Sequence, residues 1–203
     1  MSITINQANK RQIYSCSEWG ARPALHDSPI IKPKNIIIHH MDWPNRMLFQ
    51  DAHKALETAF HVAFSCQQGH FANGWADTGQ NATLTREGLL MEGRHGSVGA
   101  IMKGLIVQGA HAADPDAGIF ANNTIGLECE GTYSTAQMPP QQWEGLVDFC
   151  FWACMKTGLH SQDIIGHCDT GIATECPGKW LHAQIPLLRQ AVHLRLTEIQ
   201  KKP

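Results

Sequence analysis

The sequence predicts an α/β fold, a single domain in which helices flank a mixed central β-sheet. Three observations carry that expectation. Short β-branched runs, above all Asn35-Ile36-Ile37-Ile38, have the length and composition of buried strands. Between such runs lie longer stretches in which apolar residues recur at helical spacing. The 203 residues, 43% hydrophobic and 17% charged, suffice for one core, and no internal repeat or low-complexity linker divides them.

In chain order, residues 1–30 are expected to form an N-terminal arm with a Trp-Gly-Ala-Arg-Pro turn, its first 14 residues preceding a domain at 15–203. A strand at 35–40 follows. A helix is predicted from about 47 to 66, since Ala52, Leu56, Ala59, Phe60 and Ala63 share a face. Strands at 78–85 and 88–93 flank a turn at Arg86-Glu87-Gly88, and a glycine-rich loop leads to a strand at 124–131. Pro139-Pro140 opens a helix over 140–157, in which Cys150 and Cys154 pack with Trp143, Leu146, Val147 and Phe151. A short strand at 163–167 and an amphipathic helix at 182–200 close the domain.

Composition excludes several functions. No run approaches the roughly 18–20 consecutive apolar residues of a membrane span. A net charge of −2 offers no basic surface for nucleic acid. Residues 1–10 are polar and lack the pattern of a secretory signal, so synthesis in the cytoplasm is expected. Seven irregularly spaced cysteines then read as reduced thiols.

Three donors stand out among twelve histidines and seven cysteines. His39 ends the isoleucine run, His167 ends Asp163-Ile164-Ile165-Gly166, and the loop closed by Pro177-Gly178 returns the thiol of Cys176. Two imidazoles and a thiolate are a catalytic zinc set with a fourth position left for water. Each residue also has a plain structural reading, as a satisfied histidine or a small buried hydrophobe. The spacing lacks the specificity of a CxxC pair or an HExxH helix and leaves both readings open. Strand alternation puts Glu128 and Glu130 on one face and Cys129 on the other, either as an exposed acidic face or as part of a site. His61, His70 and His95 lie in polar, glycine-containing stretches and are expected to be solvated.

The ordered set Ser17-Glu18-Trp19-Gly20-Ala21-Arg22-Pro23, Ile36-Ile37-Ile38-His39-His40, Gly74-Trp75-Ala76-Asp77-Thr78-Gly79, Glu92-Gly93-Arg94, Gly109-Ala110-His111, Asn123-Thr124-Ile125-Gly126-Leu127-Glu128-Cys129-Glu130-Gly131 and Gly166-His167 through Cys176-Pro177-Gly178 resembles the zinc N-acetylmuramoyl-L-alanine amidases. That family includes peptidoglycan recognition proteins, phage lysozyme-type amidases and cytosolic wall-recycling amidases. The resemblance spans about residues 15 to 182, and order and spacing carry it more than any single motif.

The resemblance implies a peptidoglycan recognition protein-like amidase fold, with Zn2+ on His39, His167 and Cys176 and with His40 as a neighbour. It implies Glu128 as general base and Thr174 as oxyanion donor, with either Glu128 or Glu130 approaching the metal water while the other supports it or meets solvent. His111 is expected to line the substrate groove, and Arg94 either contacts a carboxylate or phosphate-like group or caps a turn. Gln80 takes, on the substrate side, a place where the family often has a tyrosine, and an amide cannot perform a phenol's proton chemistry. The implied reaction cuts the amide between N-acetylmuramic acid and L-alanine of the stem peptide. A signal-less lytic enzyme would reach the wall as a phage lysin through a holin, or as an injected toxin countered by an immunity protein. A recycling amidase would act on imported muropeptides, and a non-catalytic binding module would keep the groove without the thiolate.

Overall fold

Ile36, Ile37 and Ile38 are all at 0% exposure, a strand covered on both faces by the rest of the chain. The computed structural model describes residues 2–6, 10–112 and 122–201. In chain order its elements are β1 (Ile3–Asn6), β2 (Arg11–Tyr14), β3 (Ile30–Ile31), β4 (Ile36–His40), α1 (Ala52–Ala72), β5 (Ala82–Leu84), β6 (Leu90–Glu92), α2 (Ser97–Ile101), β7 (Ile106–Val107), β8 (Ile125–Cys129), α3 (Pro140–Thr157), β9 (Ile164–Gly166) and α4 (Lys179–Gln200). Seven strands form a mixed sheet in the order β1-β2-β6-β5-β8-β4-β9, and β3 pairs with β7 apart from it.

A strand buried on both faces must be apolar on both, which is why β4 is a continuous isoleucine run rather than an alternating one. Ile36 and Ile38 join Ile125, Leu127 and Ile164 in a core with Leu146, Phe149 and Trp152 of α3 and Leu181, Ile185 and Leu188 of α4. A smaller cluster sets Ala59 and Ala63 of α1 against Cys16, Trp19 and Met91. Each large apolar side chain removed from water contributes roughly 1.5–3 kcal/mol. Asp148 on α3, 1% exposed, accepts from Arg11 at 2.5 Å and from Arg195, tying β2 and α4 to α3. None of the helices among the described residues is long and apolar enough to cross a membrane.

Several elements differ from expectation. Within the expected N-terminal arm, residues 3–6 and 11–14 are strands of the sheet: β2 pairs parallel with β6, and Ile13 is 1% exposed. Helix α1 starts at Ala52 because Asp51 accepts the Lys54 N–H at 2.8 Å, capping the first turn, and it runs past the expected end to Ala72. Part of the expected glycine-rich loop folds as α2 and β7, and its residues 113–121 lie outside the described residues. α3 spans the expected residues, with Pro140 at its start and Gly158 left-handed at its end, where a side chain would be strained.

Strands β8, β4 and β9 are mutually parallel neighbours, so their carboxyl ends emerge on one edge. Open α/β sheets offer their crevices at such ends.

Candidate metal centre

Register brings the donors together before any side chain is considered. His39 on β4 stands opposite Glu128 on β8, and Ile38 stands opposite Gly166 on β9, so His167 follows directly beside His39. The His39 and His167 ring centroids are 4.4 Å apart. After His167 the chain makes a 3-10 turn (His167–Thr170) and a loop whose return is fixed by the Cys168 N–H donating to the Cys176 carbonyl at 2.8 Å. Cys176 Sγ then lies 3.6 Å from His39 Nδ1 and 3.4 Å from the His40 N–H. One donor atom from each of His39, His167 and Cys176 falls within 4.8 Å of the others.

These residues fit a metal ion on grounds beyond proximity. His167 Nε2 is buried with no hydrogen-bond partner among the described residues, an arrangement that costs free energy unless something binds it. Burial holds both imidazoles below their ordinary pKa, His39 far below and further opposed by His111, His167 and His40, so both are neutral and able to ligate. Burial and the neighbouring Glu128 push the Cys176 thiol up, which keeps its proton on until a cation displaces it. Two nitrogens and a sulfur are the donor chemistry of zinc.

The tautomer of His39 is fixed from behind. His111 Nε2 lies 3.1 Å from the Thr124 carbonyl, which can only accept, so His111 carries its proton there. Its Nδ1 then accepts from His39 Nε2 at 2.9 Å, and His39 is left with a bare Nδ1 facing Cys176. Gly126 and Gly109 make room for this ring: a Cβ on either would stand 2.6 Å from His111 Cδ2. His111 is therefore not on a groove wall, as expected, but buried behind His39.

Glu128 lines a cavity of about 400 Å3 with Met41, Trp43, Cys66, His70 and Asn73. No hydrogen bond from a described residue reaches its carboxylate, and burial raises its pKa to about 8. It stands on the face of His39, one strand spacing of about 4.8 Å away, near enough for a water to lie between. Glu130 neither approaches the metal position nor meets solvent. β8 has ended, and Glu130, 2% exposed, accepts from Arg46 Nε at 2.6 Å and from the Arg86 N–H, while Arg46 also grips Glu87.

Of the other expected site residues, Thr174 stays beside Cys176, whereas Gln80 and Arg94 are engaged elsewhere. Thr174 Oγ1 accepts the Cys176 N–H at 3.1 Å, which leaves its own proton free to donate. Gln80, 1% exposed, donates to Cys66 Sγ at 3.2 Å, so its amide is committed to α1 and not to a substrate groove. Arg94 is 5% exposed, donates to the Thr78 carbonyl and Ser28 Oγ, and lines a separate cavity of about 570 Å3 with His95 and Lys103. His95 is paired with Asp77 at 2.8 Å rather than freely solvated. His70 was missed as well. It stacks on Trp75 at 4.6 Å, accepts the Gly79 N–H, and falls to a pKa of about 4 through burial and the charge of Arg94. Cys66, His70 and Asn73, at one-turn spacing, mark the α1 face that walls the cleft, a signal hidden by ending the helix at Cys66.

A sequence profile of the N-acetylmuramoyl-L-alanine amidase family matches residues 29–179. Among solved structures, wild-type Drosophila PGRP-LB superposes with a TM-score of 0.67 at 23% identity, covering 85% of this chain and 91% of that one. The ectodomain complex of peptidoglycan recognition proteins LCa and LCx with bound tracheal cytotoxin gives 0.68 at 23%, covering 85% and 93%. The endolysin amidase LysCS from Clostridium intestinale gives 0.61 at 19%, covering 86% and 93%. At these identities the likeness establishes the fold. No curated protein sequence matches.

Proposed function

Because the chain belongs to the N-acetylmuramoyl-L-alanine amidase family, we propose that it is a zinc-dependent, cell-wall-lytic hydrolase of the amide between N-acetylmuramic acid and L-alanine. The convergence of His39, His167 and Cys176, with His167 Nε2 buried and otherwise unpartnered, carries the reading. A non-catalytic binding module would have no use for a thiol built into that set.

Zinc, when bound, supplies Lewis acidity and lowers the pKa of water at its open position. The chain's own residues do the rest. His111 holds His39 in the ligating tautomer. Glu128, unpaired and within one strand spacing, takes a proton from the attacking water and returns it to the leaving amine. Thr174, its oxygen already accepting from Cys176 N–H, aims its hydroxyl proton at the developing oxyanion. The cleft between β8 and the Cys66–Asn73 face of α1 receives the glycopeptide.

Incubating purified, metal-assayed protein with intact sacculi and with a soluble muropeptide, followed by product masses, tests the proposal. Release of stem peptides beginning with free L-alanine from sacculi supports it. Cleavage of the soluble fragment alone would make it a recycling enzyme, and binding without cleavage would overturn the hydrolytic reading.

A further inference from the structure

Cys168, Asp169 and His182 form a second convergent donor set that the hydrolytic reading leaves without a task. One donor atom from each lies within 4.8 Å of the others, and none belongs to the first set. Cys168 and Asp169 sit in the 3-10 turn after β9, and His182 sits in the first turn of α4, so the set spans the two ends of the loop that delivers Cys176.

These donors are held in place by the fold itself. Asp169 Oδ2 accepts the Gly166 N–H at 2.8 Å, which leaves Oδ1 facing His182 Nε2, also at 2.8 Å. Gly166 provides the space, since a Cβ there would come within 2.9 Å of His182 Cδ2. The Asp169 and His182 side chains are 35% and 44% exposed, so an ion reaches them from solvent without any opening of the fold.

We propose that Cys168, Asp169 and His182 bind a second zinc-class divalent cation, with water completing its coordination, and that this ion clips the Cys176 loop to α4. Sulfur, nitrogen and a single carboxylate select a borderline-soft ion, because calcium and magnesium take oxygen ligands. Binding replaces the single Asp169–His182 contact with three bonds to the ion; the His182 ring proton moves from Nε2 to Nδ1, and the Cys168 thiol proton is released to solvent. Its exposure makes it the weaker of the two sites.

Zinc titration of metal-free wild-type protein against a chelating indicator should give two equivalents. Cys176→Ala should remove the tighter, and Cys168→Ser or His182→Ala the weaker, each leaving the other in place. Cobalt(II) gives an independent readout. Added to folded Cys176→Ala protein, it should produce a thiolate-to-cobalt charge-transfer band that disappears in Cys176→Ala/Cys168→Ser, with circular dichroism establishing that both remain folded. A single equivalent in the wild type, or a weaker equivalent that survives both Cys168→Ser and His182→Ala, overturns the second site and leaves the hydrolytic proposal standing. Loss of hydrolysis with two equivalents retained would do the reverse.

Discussion

Glu128 and Glu130 are the same residue type two positions apart, yet their surroundings are opposite. Glu128, one residue before the end of β8, stands in a cleft with no hydrogen-bonded partner among the described residues, and burial raises its pKa to about 8. Glu130, just beyond the strand, is clamped by Arg46 and the Arg86 N–H. One carboxylate is left without a counter-charge, the other holds the 46–49 segment to the 86–87 turn. Strand alternation alone would have treated them as equivalent, and the difference shows that the state of a carboxylate here is set by what is withheld from it.

Chemistry gives the largest expected effects. Cys176→Ala should remove the tighter zinc and bring hydrolysis to background, measured as metal content and product mass. Glu128→Gln should keep the metal and lower kcat by about 10²- to 10⁴-fold, the usual contribution of a positioned base. Wild-type turnover in that variant would end the contrast between the two carboxylates.

Stability should separate them by sign. Glu130→Gln breaks a buried ion pair and should destabilise the fold by about 3 kcal/mol in denaturant unfolding, with Arg46 left partly uncompensated. Glu128→Gln should stabilise the metal-free protein at high pH by several kcal/mol, at about 1.4 kcal/mol for each pKa unit by which burial raises the carboxyl. A carboxyl at about 8 in the fold and near 4.5 when unfolded binds more proton in the native state between those values. Metal-free wild-type stability should therefore fall as pH rises from 4.5 to 8, and Glu128→Gln should flatten that slope. The smallest effect is expected behind the ligands, where His111→Leu should weaken zinc affinity by roughly 10- to 100-fold in a chelator competition.

The parts of the site legible in the sequence were those with local signatures. An isoleucine run of strand length placed His39, a second apolar run placed His167, and a Pro/Gly-closed loop placed Cys176. What escaped depended on contacts distant in sequence. Nothing near His111 tells that its ring lies over Gly126 and against His39, and nothing near Gln80 announces Cys66. Arg46, which decides the fate of Glu130, lies in an irregular segment with no periodicity. Strands β1 and β2 were hidden because each is four residues long and only partly buried, so pairing of β2 with β6 and of β1 with β2 supplies what local pattern does not. The true start of α1 was readable, since Asp51 is a good N-cap residue.

Gly126 carries a consequence for how this protein tolerates change. One methyl group added in the sheet interior, on a residue that ligates nothing, would collide with the His111 ring, which is hydrogen-bonded to His39. A mutational survey scored by chelator sensitivity should therefore recover Gly126→Ala beside the ligand substitutions, marking a backbone position as a determinant of metal retention.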